Sequence, residues 1–262
     1  MKNNSSSLSA AMHGKDLAMY FTAGFPVVDS TVDIIQSLDA AGVPIIEIGM
    51  PYSDPVADGP VIQQSNLQAI ENGMTLELLF QQLKNLPPLQ SHLYLMGYIN
   101  PIMQFGVDRF CTLAQSVGIK GCILPDLPPE LYAASYQPIF EKYGLKIVFL
   151  ITPQTTVERI KLIDTLATGF VYAVSSNTIT GKAGNNSAEA IEAYLLQAKT
   201  LVVKNKLMVG FGIATGKALH KVCEIADGGI VGTAFIKELA QTTDVVSVTT
   251  NFIQQIAEGY HE

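Results

Sequence analysis

The sequence predicts a single (β/α)8 TIM barrel. Eight short apolar or β-branched runs alternate with longer stretches of helical periodicity across the 262 residues. The units recur evenly, and no GxGxxG loop follows the first strand, which disfavours the competing open doubly wound sheet. No Pro/Ser-rich linker divides the chain, so one domain is expected over 1–262, with residues 1–15 as an N-terminal cap segment.

Each predicted strand is bounded by a helical stretch or a turn. The strands are 17–21, 44–49, 93–98, 121–124, 146–150, 169–174, 206–212 and 228–232. The clearest amphipathic helices between them are 30–42, 107–118 and 155–167. Since the loops that follow barrel strands meet at one end, and here carry the unusual residues, the site is predicted there.

Composition and charge exclude several classes of protein. Hydrophobic residues make up 48% of the chain, charged residues make up 15%, and the formal net charge is −7. Without a Lys/Arg run, this balance argues against nucleic acid or an anionic membrane as the main partner. Three dispersed cysteines, no CxxC pair and no apolar leader predict a reduced, soluble, cytoplasmic protein.

A glutamate stands in the middle of the second predicted strand, PIIEIG. Strand alternation places Glu47 on the face opposite to Ile46 and Ile48. Barrel strands bury their outer face beneath helices, where an unpaired carboxylate would be costly. Glu47 is therefore predicted to point into the barrel near its mouth. It is either an acid/base group or a structural glutamate paired with Lys or Arg.

The following loop, MPYSDPVADGP, carries Asp54 and Asp58. Asp before Pro or Gly is ordinary turn chemistry, so either residue alone is weak evidence. Glu47 and Asp58 on one strand-and-loop unit would border one pocket, which favours an acid/base pair. Histidines occur only at 13, 92, 220 and 261, without a CxH or HxH pattern, so no metal site is expected.

Two glycine-rich stretches follow the last two predicted strands. VGFGIATGKAL (209–219) follows the seventh, and VGTAFIKEL (231–239) follows the eighth and leads into a short helix. Backbone N–H groups in such loops predict a phosphate site without a basic patch. The alternative is that these glycines only form turns.

Further candidates lie in the other loops after strands. SSNTITGKAGNNS (175–187) is long, polar and glycine-containing, which predicts a mobile lid or, alternatively, an ordinary surface loop. Some aromatic residues near strand ends could line a pocket for a flat ring: Tyr20, Tyr98, Phe105, Tyr172 and Phe211. The residues alone thus predict a barrel enzyme that acts on a small phosphorylated substrate through Glu and Asp.

The stretch EIGMPYSDPVADGPVIQ (47–63) closely resembles the signature E-x-G-x-P-[FY]-S-D-P-x-A-D-G-P of the tryptophan synthase α-subunit family. The likeness continues in the family's order through FTAGFP (21–26), YINPI (98–102), LPDLPPE (124–130), TITG (178–181), GFGI (210–213) and GTAFIK (232–237). The resemblance implies a (β/α)8 barrel. It also implies retro-aldol cleavage of indole-3-glycerol phosphate to indole and glyceraldehyde 3-phosphate, late in tryptophan biosynthesis.

The resemblance also implies roles for individual residues. Glu47 is expected to protonate indole C3 and to take the proton of a side-chain hydroxyl, and Asp58 is expected to accept the indole N–H. The other implied substrate contacts are Tyr20, Tyr172, Thr180, Gly181, Phe211, Gly212, Gly232 and Thr233. No metal or cofactor is expected in this subunit.

The family's partner is a pyridoxal-phosphate-bearing β subunit, to which the indole passes. An α2β2 heterotetramer is therefore expected. The residues that match its partner-facing positions are Pro51, Asp54, Asn66 and Pro128.

The chain departs from the family's usual pattern at several positions. Ser176 replaces an arginine and Thr178 a glycine in the lid, Thr233 replaces a serine, and Tyr20 replaces a phenylalanine. The lid changes bear on loop closure and on signalling to the partner. None of the changes affects the two carboxylates.

Three alternatives to a partnered lyase remain open at this point. One is another phosphate-binding barrel enzyme, such as a sugar-phosphate isomerase. The second is a catalytically weakened subunit that mainly activates a β partner. The third is a free-standing lyase that releases indole.

Overall fold

The computed structural model describes residues 12, 14–174, 188–210 and 212–261. Within them, eight parallel strands form a closed barrel in sequence order, and β8 pairs with β1. The strands are β1 Asp16–Thr22, β2 Ile45–Gly49, β3 His92–Met96, β4 Gly121–Ile123, β5 Lys146–Ile151, β6 Val171–Val174, β7 Leu207–Gly210 and β8 Gly228–Val231. The predicted (β/α)8 fold is confirmed.

Helices connect successive strands around the outside of the barrel. They are α1 Ser30–Ala40, α2 Pro60–Glu71, α3 Leu76–Leu83, α4 Ile99–Phe105, α5 Val107–Ser116, α6 Pro129–Leu131, α7 Gln137–Lys142, α8 Val157–Leu166, α9 Ala188–Leu201, α10 Gly216–Cys223, α11 Thr233–Leu239 and α12 Val245–Gly259. A π-helical turn, Tyr132–Tyr136, joins α6 to α7. Of the helices described, none has the length and apolar character needed to cross a bilayer.

The predicted strand boundaries differ from the observed ones by a few residues. The third strand ends at Met96, before the predicted 98, because Tyr98 already occupies the N-cap of α4 with extended backbone. The seventh strand ends at Gly210 rather than at 212. The helices predicted over 30–42, 107–118 and 155–167 correspond to α1, α5 and α8.

Strand alternation separates two layers of core. Ile45, Val148 and Met208 belong to a cluster of side chains inside the barrel. Ile46 and Ile48 belong to the larger layer between the strands and the helices. The face assigned to Ile46 and Ile48 from the sequence is therefore confirmed, and Glu47 falls on the interior side of β2.

Candidate active site

Glu47 is enclosed in the barrel interior. Its register neighbours are Tyr20 on β1 and Tyr94 on β3. The residue has 0% of its surface exposed, and neither carboxyl oxygen has a hydrogen-bond partner within the described residues. None of the ion pairs found there includes Glu47 either. Among the described residues, Glu47 therefore has no Lys or Arg partner, as the alternative of a structural glutamate would require.

Burial alone explains the protonation of Glu47. Removal of the carboxyl from water disfavours its charged form and raises its pKa from 4.5 to about 8. The side chain is thus mainly protonated at neutral pH. A carboxylic acid in this state can donate a proton and take one back near the operating pH, which is the requirement for acid/base catalysis.

Asp58 lies in the loop between β2 and α2, where it is half-buried. The Tyr98 hydroxyl donates a hydrogen bond to Asp58 Oδ2 at 3.1 Å. Burial raises the pKa of Asp58, and the hydrogen bond from Tyr98 offsets part of this rise, so that the pKa is about 6. Asp58 is therefore mainly ionised at neutral pH, so the two carboxyl groups differ in charge.

A cavity of about 420 Å³ opens at the carboxyl ends of the strands. Six of the residues predicted to be catalytic or to bind substrate line it: Tyr20, Asp58, Tyr172, Gly212, Gly232 and Thr233. Cavities at this end of a barrel are where its active sites form. The cavity therefore brings together residues from β1, β6 and the loops after β2, β7 and β8.

Glu47 does not itself line this cavity. Tyr20 and Tyr172 do line it, and both interact electrostatically with Glu47 and with Asp58. Burial is the larger cause of the raised pKa of each tyrosine. The prediction that both carboxylates border one pocket therefore needs a correction. Asp58 lines the cavity directly, whereas Glu47 lies within electrostatic range of two tyrosines that line it.

Glycine positions shape the wall around the tyrosines. A Cβ added at Gly210 would lie 2.4 Å from the Tyr172 hydroxyl, and one added at Gly49 would lie 2.4 Å from the Tyr20 hydroxyl. At Gly232 the same atom would lie 3.2 Å from Cδ1 of Tyr20. Both aromatic rings therefore depend on glycine backbones for their positions.

The predicted anion-binding loops lie on one side of the cavity. Gly212 has φ +48°, a conformation that favours glycine, and Gly232 is the N-cap of α11, which begins at Thr233. Thr180, Gly181 and Phe211, together with the predicted lid 175–187, lie outside the described residues.

The four predicted partner-facing residues differ in exposure. Asp54 and Pro128 are exposed and Pro51 is half-buried. Asn66 is only 3% exposed: its Oδ1 accepts the Tyr52 N–H at 3.1 Å and its Nδ2 donates to Ile62 O at 2.8 Å. Asn66 thus stabilises the loop after β2 through these hydrogen bonds and has almost no exposed surface for a partner to contact.

The sequence alone does not predict the roles of two residues of the site, Tyr98 and Arg159. Tyr98 was noted only as an aromatic near a strand end, yet it holds Asp58. Arg159 lines the cavity and pairs with Glu130 at 2.6 Å. A polar aromatic at the end of a predicted barrel strand was an available signal for Tyr98. Arg159 lies within a predicted helix and gave no comparable signal.

Within the described ranges, no three His, Cys, Asp or Glu side chains form a group that could hold a metal ion.

Comparisons with known proteins point to one family. The family model for the tryptophan synthase alpha chain matches residues 8–261. The chain is similar to the tryptophan synthase alpha chain of Flavobacterium psychrophilum, with 48% identity over 244 residues, 92% of this chain and 95% of the relative.

Solved structures of alpha subunits from the same family are also similar to this chain. The chain is similar to tryptophan synthase subunit alpha from Legionella pneumophila, with a TM-score of 0.86, 32% identity and coverage of 100% of this chain and 99% of that chain. It is also similar to the tryptophan synthase A-subunit from Pyrococcus furiosus, with a TM-score of 0.82, 33% identity and coverage of 94% and 98%.

Proposed function

This chain belongs to the tryptophan synthase alpha chain family, and we propose that Glu47 and Asp58 carry its reaction. The chain is a carbon–carbon lyase of tryptophan biosynthesis that cleaves indole-3-glycerol phosphate to indole and glyceraldehyde 3-phosphate. One observation carries the proposal at the level of residues. A buried glutamate without a hydrogen-bond partner among the described residues and an ionised aspartate both interact electrostatically with the same two cavity-lining tyrosines.

Glu47 serves as the proton donor and then as the proton acceptor. Its protonated carboxyl gives a proton to indole C3, which makes the ring a good leaving group. The resulting carboxylate takes the proton of the hydroxyl on the adjoining carbon, the bond between that carbon and C3 breaks, and the aldehyde forms. The pKa of about 8 supports this role, because the acid form is present at neutral pH.

Asp58 stabilises the ring while C3 is protonated. Positive charge then develops on the indole nitrogen, and a carboxylate that accepts the indole N–H stabilises it. The ionised state of Asp58 and its position in the cavity wall support this assignment. No cofactor in this chain is required by these steps.

The substrate phosphate binds at the loops after β7 and β8. Gly212, Gly232 and Thr233 line the cavity on that side, and backbone N–H groups at the start of α11 are the donors for the anion. The substitution of Thr233 for the usual serine keeps a main-chain N–H and a hydroxyl.

The burial of Glu47 implies that the isolated chain turns over slowly. Because the carboxyl has no exposed surface, Glu47 or the side chains that cover it must move before Glu47 touches the substrate. The same observation favours the second candidate function, a weak catalyst that mainly activates its partner.

The partner is a β subunit that carries pyridoxal phosphate, and the assembly is an α2β2 heterotetramer. Three exposed apolar side chains support a docking surface in the loops and helices that follow β2, β3 and β4. They are Val56 (77% exposed), Met103 (54%) and Leu131 (45%), in the segments that also carry Pro51, Asp54 and Pro128. Three buried free cysteines support a reducing, cytoplasmic location.

The decisive measurement is indole release from indole-3-glycerol phosphate by the purified chain, with and without a tryptophan synthase β subunit. Glu47→Gln is expected to abolish release while the fold and partner binding persist. Asp58→Asn is expected to lower kcat by roughly 100-fold or more, because it removes the group that stabilises developing charge.

Three outcomes separate the candidates. Release that depends on Glu47 in both conditions establishes the lyase assignment. Negligible release together with strong stimulation of the β subunit identifies an activator. Near-normal turnover of Glu47→Gln rules out Glu47 as the acid/base group.

A further inference from the structure

Tyr98 connects β3 to the loop that carries Asp58. It lies two residues after the end of β3 at Met96 and is only 5% exposed. Its ring packs against that of Tyr52 with centroids 5.3 Å apart. The ring therefore has little freedom to move, and the hydroxyl occupies a fixed place.

The hydrogen bonds of this hydroxyl have a determined direction. The Ala57 N–H donates to the Tyr98 oxygen at 2.9 Å, so that oxygen acts as an acceptor there. The single phenolic proton is then left for Asp58 Oδ2 at 3.1 Å. Tyr98 thus fixes two consecutive residues of the loop, one through its main chain and one through its side chain.

No other side-chain bond to the Asp58 carboxylate is found within the described residues. Gln63 Nε2 bonds to the main-chain oxygen of Asp58 at 2.9 Å rather than to its carboxylate. With Oδ2 held by Tyr98, Oδ1 accepts no hydrogen bond from the part of the chain that the structure describes and can accept one from a molecule in the cavity.

We propose that Tyr98 is the positioning residue for Asp58: its hydroxyl holds Oδ2 so that Oδ1 is aimed at the indole N–H of the substrate. This inference rests on the proposed function of Asp58. Tyr98 itself does not line the cavity, so it acts through Asp58 and does not touch the substrate.

Tyr98 also supports the charge of Asp58. Burial acts against the carboxylate, and the hydrogen bond from Tyr98 is the interaction that lowers its pKa. Among the described residues, the titratable groups that interact electrostatically with Asp58 are Tyr20, Tyr98 and Tyr172, and Asp126 interacts with Tyr98 in turn. None of these is a cation that could replace the lost bond.

The test is Tyr98→Phe, which keeps the ring and removes only the hydroxyl. We expect kcat for indole release to fall about 10- to 100-fold, the usual range for a hydrogen bond to a charged group. The acidic limb of the kcat/KM profile, which reports the free enzyme and lies near pH 6 in the unaltered chain, should move to higher pH, so the loss in kcat/KM is larger at pH 6.5 than at pH 8.

Two controls separate positioning from a merely structural role. Tyr143→Phe removes another tyrosine hydroxyl that donates to an aspartate, Asp108 Oδ1 at 2.9 Å, near the surface and away from the cavity. This substitution should leave the profile unchanged. In the Asp58→Asn background, Tyr98→Phe should cause little further loss, because Tyr98 acts through the Asp58 carboxylate.

The inference is overturned if the acidic limb stays in place and the Tyr98→Phe and Asp58→Asn losses multiply. It is tested independently of activity by carbon-13 NMR titration of the Asp58 carboxyl. A higher pKa in Tyr98→Phe supports the inference even if the chain releases no indole, whereas an unchanged pKa refutes it even if the proposed lyase activity is found.

Discussion

The carboxyl of Glu47 lies in the barrel without exposed surface and, within the described ranges, without a hydrogen bond or an ion pair. A carboxylate left in such surroundings would lose its hydration without compensation, so the group keeps its proton instead. The same isolation that makes Glu47 unfavourable for the fold also makes it a proton donor at neutral pH. Stability and catalysis therefore make opposite demands on this residue.

Glu47→Gln should stabilise the protein at high pH. The folded pKa of Glu47, about 8, lies above its ordinary value of 4.5, so the folded state binds a proton that the unfolded state has released between these values. Stability of the unaltered chain therefore falls by about 1.4 kcal/mol for each pH unit across this window. The neutral glutamine lacks this dependence.

Urea unfolding at pH 5 and at pH 9 measures the difference. The free energy of unfolding of Glu47→Gln should exceed that of the unaltered chain at pH 9, and the excess should shrink toward pH 5. All other titrating groups are common to both proteins, so they cancel. Parallel pH profiles for the two proteins would show that Glu47 does not titrate as described.

Strands β6 and β7 position one wall of the cavity through a close contact between a tyrosine and a glycine. Val174 pairs with Gly210 in register, and the Tyr172 ring lies against the Gly210 backbone. The side chains of each strand thereby limit which residues the neighbouring strand can have at the adjacent positions. The end of β7 must be glycine because the ring from β6 occupies the space of its side chain.

Gly210→Ala should displace the Tyr172 ring. The new Cβ would lie 2.4 Å from both Cε2 and the hydroxyl of Tyr172, so the ring has to move and the cavity changes shape. We expect kcat/KM to fall at least about tenfold and stability to fall by roughly 1–3 kcal/mol, as for an overpacked core.

Steady-state kinetics and urea unfolding test this expectation. Gly59→Ala is the comparison, because Gly59 also lines the cavity but an added Cβ there has no atom within 4 Å. Its kinetic loss should be much smaller. Equal effects of the two substitutions would argue against the contact with Tyr172 as the cause.

The two ends of the barrel divide stability from activity. The carboxyl ends of the strands surround the cavity, whereas partly buried polar contacts hold the opposite end. There, Asp164 of α8 accepts the N–H groups of Val203 at 3.0 Å, Lys204 at 2.9 Å and Asn205 at 3.0 Å. These contacts fix the turn that leads into β7, and no residue of this group lines the cavity.

Asp164→Ala should lower stability and leave catalysis unchanged. The substitution removes the acceptor of three main-chain N–H groups. Because Val203 is 82% exposed, water can replace part of the lost hydrogen bonding. We expect a decrease of roughly 2 kcal/mol in the free energy of unfolding, with kcat within about twofold. Asp164→Asn, which retains one acceptor oxygen, should lose less. A fall in kcat without a fall in stability would contradict this division.

Local pattern determined the architecture and the identity of the reactive groups. The period of the apolar residues predicted eight strands, and alternation along PIIEIG predicted that Glu47 faces inward. The family signature within 47–63 predicted the lyase. These features could be read from the sequence because each depends on neighbouring residues in the chain.

Only the tertiary structure decided how the carboxyl groups are held. Glu47 is buried in an interior where it interacts electrostatically with Tyr20 from β1 and Tyr172 from β6, and the orientation of Asp58 depends on Tyr98 beyond β3. These residues are far apart in the chain and meet only when the barrel closes. Burial and hydrogen bonding, which set the two pKa values, are properties of that closed arrangement, so no local stretch of sequence contains them.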